Sequence, residues 1–318
     1  MKTVLKTLAV VGALLMPGAA TAQDFPTQTV KIIVPTGPGA SNDNFARYLA
    51  DRLTQKWGQP VVVENMPGGG GAIGFAALTQ SPADGHTLVL YSSSFITAAA
   101  SSTNLPYSPE DDVLPVAKFA DGQLMMVASE RLGIRSVEDL VREGKAQKIF
   151  SAGTGPASTA SFVSFLVADV LGIDIEMVNY KGGSEALLDI AGNRADIYIG
   201  SVTSILPVLE KGDAVALAVL DTKPAPQSPD VPTIGDAGYP DAAATLWWGV
   251  HAPAGTPDDV VEKINADINE VLGLDATATM LEGAGAVPAP MSASEFQESV
   301  KNELARFKAL AEKFGIRI

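Results

Sequence analysis

Short apolar runs alternate along the chain with polar, glycine-rich joints and with stretches whose apolar residues recur every three or four positions. Val30-Lys31-Ile32-Ile33-Val34 is largely β-branched and closed by Pro35, which predicts a strand. Beyond the loop Thr36 to Ser41, the residues Phe45, Leu49, Leu53 and Trp57 fall every fourth position and mark one face of a helix. Ser41 or Asn42 is placed to cap that helix, Asp43 falls in its first turn and Gly58 ends it. Val61-Val62-Val63 predicts a second strand, and Asn65-Met66-Pro67 with four glycines a second loop. A short helix is expected from Ile73 to Leu78, and a third strand from Thr87 to Tyr91 opens on Ser92-Ser93-Ser94.

A second series follows Gln123 to Val127. Lys148-Ile149-Phe150 runs into Ser151-Ala152-Gly153-Thr154-Gly155 and a helix through Phe162 and Phe165. Ile175 to Val178 ends at Asn179, with a helix near Glu185 to Ile190, and Asp196 to Ile199 ends at Gly200-Ser201 before another helix. Pro224 to Pro240 reads as irregular. Val261, Ile264, Ile268 and Leu272 predict one late helix face, and Phe296, Val300, Leu304, Phe307 and Phe314 another. Strand, polar loop and helix in that order predict an α/β architecture with a largely parallel sheet.

The start of the chain departs from this pattern. Lys2 and Lys6 precede an apolar run from Leu8 to Met16, then Pro17-Gly18 and Ala20-Thr21-Ala22, the layout of a secretory leader spanning 1–22 and cut after Ala22. Its apolar core is shorter than the roughly 20 residues of a spanning helix. The expected mature chain is exported and most simply periplasmic.

Composition narrows the function. At roughly 100–200 residues per domain, a length of 318 suggests two domains. Lys+Arg number 22 against 36 Asp+Glu, a net charge of -14, and losing Lys2 and Lys6 with the leader takes it to -16. Nucleic acid is not an expected partner, because no basic stripe is present to neutralise phosphates. With no cysteine and two histidines, His86 and His251, disulfides, thiolate metal sites and thiol catalysis are excluded. No metal or other cofactor is expected.

The polar loops between strand and helix carry the candidate chemistry. Unpaired N–H groups at the positive end of a helix dipole hold an anion. Thr36 to Asn42 is the best example and Ser151 to Ser158 the second. In open α/β sheets, ligands lie beyond the carboxyl ends of the strands, where these loops fall. Charge-assisted hydrogen bonds contribute about 1.5–3 kcal/mol each. Three or four on one carboxylate therefore approach the ~8 kcal/mol of micromolar affinity, while distant surface acids are screened beyond about 8–10 Å.

Enzyme motifs are mostly missing. Gly69-x-Gly71-x-x-Gly74 matches a dinucleotide fingerprint, but Ser94 or a neighbour stands where the acid belongs. Phosphate-loop, nucleophile-elbow and zinc-protease motifs do not occur. His86 reads as a surface or edge residue, His251 as packed or hydrogen-bonded, and Asp43 with Arg47 as an intrahelical ion pair.

Taken together, the segments resemble the solute receptors of tripartite tricarboxylate transporters, the Bug-type family, over the whole mature chain. The matching residues are Val34-Pro35 through Pro38-Gly39 to Asp43 and Ala46-Arg47; Asn65-x-Pro67-Gly68 to Gly74; Asp84-Gly85-x-Thr87-Leu88; and Tyr180-Lys181-Gly182. They continue with Pro229 to Thr233, Trp247-x-Gly249, and Ala252 to Pro257. The resemblance implies a type II-like periplasmic binding fold: two α/β domains, 24–124 plus 248–318 and 125–247, with a cleft and two crossover segments. It implies a small carboxylate solute, a dicarboxylate or aromatic carboxylate among the candidates, gripped by backbone amides and passed to membrane permease subunits. A monomer is expected.

Carried onto this chain, Thr36, Gly37, Gly39, Ala40, Ser41, Asn42 and Asp43 form the gripping loop. Ser151, Gly153, Thr154, Ser158 and Thr159 form the opposing one, with Ser92, Ser93, Asn179 and Ser201 completing the polar wall. Ala40 replaces a usual glycine, a usual histidine is replaced near Thr159, and Gly200 stands where the family has aspartate. Two other readings remain: a secreted enzyme using Asp43, Lys181 or His251, and a solute sensor partnering a membrane kinase.

Overall fold

A computed structural model describes residues 25–155, 158–180 and 182–317. The expected leader over 1–22, Lys181 and residues 156 and 157 of the second loop lie outside the described residues.

The strands assemble into two sheets. The first holds β1 (Val30–Val34), β2 (Val61–Asn65), β3 (Thr87–Ser92), β4 (Val113–Gly122), β10 (Leu246–Pro253) and β11 (Ala286–Pro288). The second holds β5 (Leu124–Ala128), β6 (Ile149–Gly153), β7 (Ile175–Asn179), β8 (Ile197–Ser201) and β9 (Val215–Val219). The helices are α1 (Ser41–Trp57), α2 (Ala72–Thr79), α3 (Ser94–Ser101), α4 (Val137–Ala146), α5 (Thr159–Leu171), α6 (Gly183–Ala191), α7 (Val202–Glu210), α8 (Asp258–Leu272), α9 (Asp275–Gly283) and α10 (Ala293–Phe314).

The expectation of a largely parallel sheet is corrected. β1 pairs in parallel with β2 and β3, and β6 with β7 and β8, but β4, β5, β9, β10 and β11 pair with their neighbouring strands antiparallel. The antiparallel members include the strands that flank the two crossings between sheets. The chain leaves the first sheet at Gly122 and enters the second at Leu124, then leaves β9 at Val219 and returns at Leu246.

This topology fixes where the loops fall. Gly122 ends β4 beside Leu246, two residues from the Trp248–Ser92 pair, so it lies on the same edge as the carboxyl ends of β1 and β3. Leu124 pairs with Ser201, the last residue of β8. Only Gln123 separates the two edges at the first crossing. The carboxyl ends of both sets of parallel strands therefore meet along one seam, with the strand-to-helix loops on it.

Three apolar cores hold the layers. Phe45, Leu49 and Leu53 of α1 pack with Ile264 and Ile268 of α8 on one face of the first sheet. Phe45 meets Trp248 edge-on at 5.0 Å. Truncating such a ring costs about 3–5 kcal/mol, so α1 is firmly seated and its first turn rigidly presented. Met125, Tyr198 and Ala152 pack under α6 and α7 on the second sheet. The third core runs without a break between the sheets: Phe162 of α5 stacks on Phe307 of α10 at 5.4 Å, and Phe165 on Phe314 at 4.9 Å.

Candidate functional site

The loop after β1 is held from behind. Asp43 accepts from the Gly39 amide at 2.9 Å, from Arg47 Nε at 3.0 Å and from Asn65 Nδ2 at 2.9 Å, and Arg47 Nη2 approaches its other oxygen at 2.9 Å. Asn65 also donates to the Thr36 carbonyl at 3.0 Å and accepts from Arg47 at 3.0 Å. The Asp43 side chain is buried, and hydrogen bonding to Arg47 holds its carboxyl at about 2. The expected Asp43–Arg47 pair is present, and Arg47 neutralises this acid of the loop.

The helix cap is corrected by the same contact. The N-cap is Ala40, with no side-chain cap, and Ser41 and Asn42 are the first two helical residues. Asp43, the third, reaches back to the amide before the cap, so the turn closes one residue earlier than expected. Gly39 at φ 86 makes the bend. Its amide is consumed by Asp43, but among the described residues no acceptor meets the N–H groups of Ala40, Ser41 and Asn42. Thr36 Oγ1 and Asn42 Oδ1 are enclosed without a partner.

Ser93 lies on the neighbouring loop. Its amide donates to the Trp247 carbonyl at 2.7 Å, tying the start of α3 to the start of β10, while its own hydroxyl is enclosed and unpartnered. Ser92 donates to Ser94 at 3.1 Å.

On the second sheet the expected residues divide. Ser158 caps α5, its hydroxyl accepting from the Ser161 amide at 3.2 Å and donating to the Ser161 hydroxyl at 3.0 Å. Ser201 donates to Ser204 at 3.0 Å. Thr159 is buried with its hydroxyl unpartnered, while Thr154 is half-buried and Asn179 exposed at the seam. Ser151 is 0% exposed, two residues before Gly153 on the strand face that abuts Ser161 of α5. Its hydroxyl therefore faces the helix, away from the seam. Gly37 lies half-buried in the gripping loop.

Of the candidate acid and base groups, Asp43 and His251 are not free for chemistry, and Lys181 lies outside the described residues. His251 is fully enclosed among Phe75, Phe95, Trp247 and Phe296, and burial pushes its pKa down to about 3. Packed is the correct half of its expectation. His86 is half-buried near a turn, accepting from the Thr27 amide at 3.2 Å. Among the described residues no cluster of acids and histidines is placed to hold a metal ion, and no helix is long and apolar enough to cross a membrane.

Sequence reasoning missed two residues. Gln123, between the sheets, donates to Asp221 at 3.0 Å and its carbonyl accepts from the Val202 amide at 3.1 Å; its signal is a polar residue after Asp121-Gly122 and directly before the apolar run Leu124 to Ala128. Tyr198 lies below the seam under α6; its signal is an aromatic two residues before a glycine in one short strand.

Two mixed sheets, two crossings and a seam lined by open helix turns define a two-lobed binding protein. The family model described as the tripartite tricarboxylate transporter family receptor matches residues 45–316, and the chain belongs to that family. Protein BugT of Bordetella pertussis is 32% identical over 98% of both chains. A protein of R. palustris solved with adipate is 31% identical with a TM-score of 0.73, covering 92% of this chain and 99% of its own. MatC of Rhodopseudomonas palustris, solved with bound malate, is 26% identical with a TM-score of 0.70 over 90% and 99%. The periplasmic binding protein BugD is 27% identical with a TM-score of 0.69 over 92% and 99%.

Proposed function

We propose that the chain is a periplasmic receptor that captures a small carboxylate at the seam and delivers it to the membrane permease of a tripartite transporter. The observation that carries this reading is the first turn of α1. Among the described residues no protein acceptor meets the amides of Ala40, Ser41 and Asn42, and the loop before them is braced by Asp43, Arg47 and Asn65. Donors already aimed and held cost little ordering on binding. The relatives solved with adipate and malate support the carboxylate class.

In this reading the lobes are 24–124 plus 248–318 and 125–247, and they close by a hinge at the two crossings. Thr36, Ala40, Ser41 and Asn42 take the carboxylate; Ser93, Thr154, Thr159 and Asn179 contribute from the other loops. Asp43, Gly39 and Ser158 shape those loops instead of touching the solute. The protein acts as a monomer, exported through a leader cut after Ala22. It binds without turnover, since Asp43 is fully committed and His251 is enclosed.

Calorimetry and thermal shift with the mature chain test this against a panel of small carboxylates, sugars and cations. One-to-one binding of a carboxylate is expected. Response to a sugar or cation alone would overturn it.

A further inference from the structure

The start of β10 links the Ser93 loop to a carboxyl on α10. Trp247 is buried; its carbonyl accepts from the Ser93 amide at 2.7 Å, and its indole N–H donates to Glu303 at 2.7 Å. The indole ring also meets Phe296 of α10 edge-on at 5.3 Å. Ser93 is fully buried between β3 and α3, and its hydroxyl has no partner. What holds Trp247 therefore helps to aim that hydroxyl.

Glu303 is placed to vary that hold. Its carboxyl borders a cavity of about 280 Å³, also lined by Lys118, Thr245 and Arg306, through which water and protons reach it. The charged groups facing it are Lys118 and Asp121 of β4 and Arg306, one turn further along α10. Lys118 is tied to Asp121 at 2.5 Å. Arg306 lies beside Asp241 and donates to the Asp241 and Ala243 carbonyls of the second crossing. Glu303 itself makes no ion pair among the described residues, so its charge goes to the Trp247 bond. A hydrogen bond to an ionised acceptor is roughly twice as strong as a neutral one. Burial raises the Glu303 pKa to about 7, so both forms are present near neutral pH. A buried charge adds little to stability, and a neutral residue would serve the fold as well. We propose that Glu303 is a positioning residue for the solute site: ionised, it draws Trp247 and the Ser93 loop into the arrangement that binds, and protonated, it relaxes them. A solute held by Ser93 then favours the ionised carboxylate, and affinity rises with pH. Lys118 and Arg306 offset the added negative charge. This rests on the carboxylate reading above.

The test is calorimetry between about pH 6 and pH 8 with the small-carboxylate panel, benzoate, hexanoate and malate among it, on the mature chain, Glu303→Gln and Trp247→Phe. The wild type is expected to bind the acid it prefers about threefold tighter at the upper pH than at the lower. Glu303→Gln keeps a neutral acceptor for Trp247, so it stays at the weaker level with no slope, and Trp247→Phe loses the slope as well. In 15N spectra the Trp247 indole N–H of the wild type follows the titration of Glu303. Bound acid lowers that midpoint by about half a pH unit, the linked counterpart of a threefold gain. A purely structural role for Glu303 would move neither the slope nor the midpoint. Equal affinity across the pH range, or the wild-type slope retained in Glu303→Gln, overturns the positioning role and leaves the carboxylate reading standing. Failure of every acid to bind removes both.

Discussion

Gln123 Nε2 donates to the Asp221 carboxylate at 3.0 Å, so one side chain ties together the two segments by which the chain passes between its sheets. It also donates to the Lys223 carbonyl at 3.1 Å. Gln123→Ala removes these ties without emptying a core. The lobes then open more freely and closing on a solute costs more. Affinity is expected to fall about three- to tenfold, the upper figure being 1.4 kcal/mol, with a larger radius of gyration for the free protein by X-ray scattering. Unchanged affinity and scattering would show that Gln123 plays no part in closure.

The brace behind the first loop has a sign that decides between two effects. Asp43→Asn deletes a negative charge, which by itself favours an anion, but it also releases the Gly39 amide and Arg47. Charge-assisted contacts of about 1.5–3 kcal/mol outweigh one charge that Arg47 already neutralises. Affinity for the carboxylate is therefore expected to fall roughly tenfold, and Asn65→Ala to act in the same direction by freeing the Thr36 carbonyl. Tighter binding by Asp43→Asn, measured by calorimetry, would contradict the brace.

Much of this was legible in the sequence, for definite reasons. Val30–Val34 is β-branched and stopped by a proline, and the fourfold spacing of Phe45 to Trp57 leaves little choice but a helix. The strands β4 and β10 were not legible. They are buried on both faces, so they lack alternation; Pro115 and Gly249 interrupt them, and their register shifts at Trp248/Gly249 and Val250/His251. Missing them made the sheet look parallel. At the site, the loop was readable from its glycines, but the division of labour was not. Whether an amide is open or spent on Asp43 depends on Asn65 and Arg47 converging from separate elements, and a serine such as Ser151 reveals its direction only once α5 is in place.

His251 gives a pH dependence with a definite sign. The unfolded chain takes up a proton near the ordinary 6.5, while burial keeps the native ring neutral down to about 3. The unfolded state therefore binds more protons in that window, and stability is lost as pH falls below 6.5, by up to about 1.4 kcal/mol per pH unit. His251→Phe, packed among the same rings, is expected to flatten the slope in urea unfolding between pH 6.5 and 4.5. An unaltered slope would mean the ring is not sealed.

Glu303 has the opposite dependence. Burial raises its pKa to about 7 even though Trp247 Nε1 donates to it at 2.7 Å. The native state keeps the proton longer than the unfolded one, so stability present below about 4.5 is lost as pH rises toward 7. Glu303→Gln keeps an acceptor for Trp247 without the charge. It is expected to gain about 1–2 kcal/mol at pH 8, partial exposure trimming the full linkage value, and nothing at pH 4. A gain at pH 4 equal to that at pH 8 would show that the charge is not the cause.

The central claim is that main-chain donors at the start of α1 hold the solute's carboxylate. Amide proton shifts of the 15N-labelled mature chain, recorded while a bound carboxylate is titrated in, read those donors one by one. The expected result is large downfield movement of the Ala40, Ser41 and Asn42 amides, with Gly39 moving little because Asp43 already holds it. Saturable binding that leaves those three resonances in place would contradict the account.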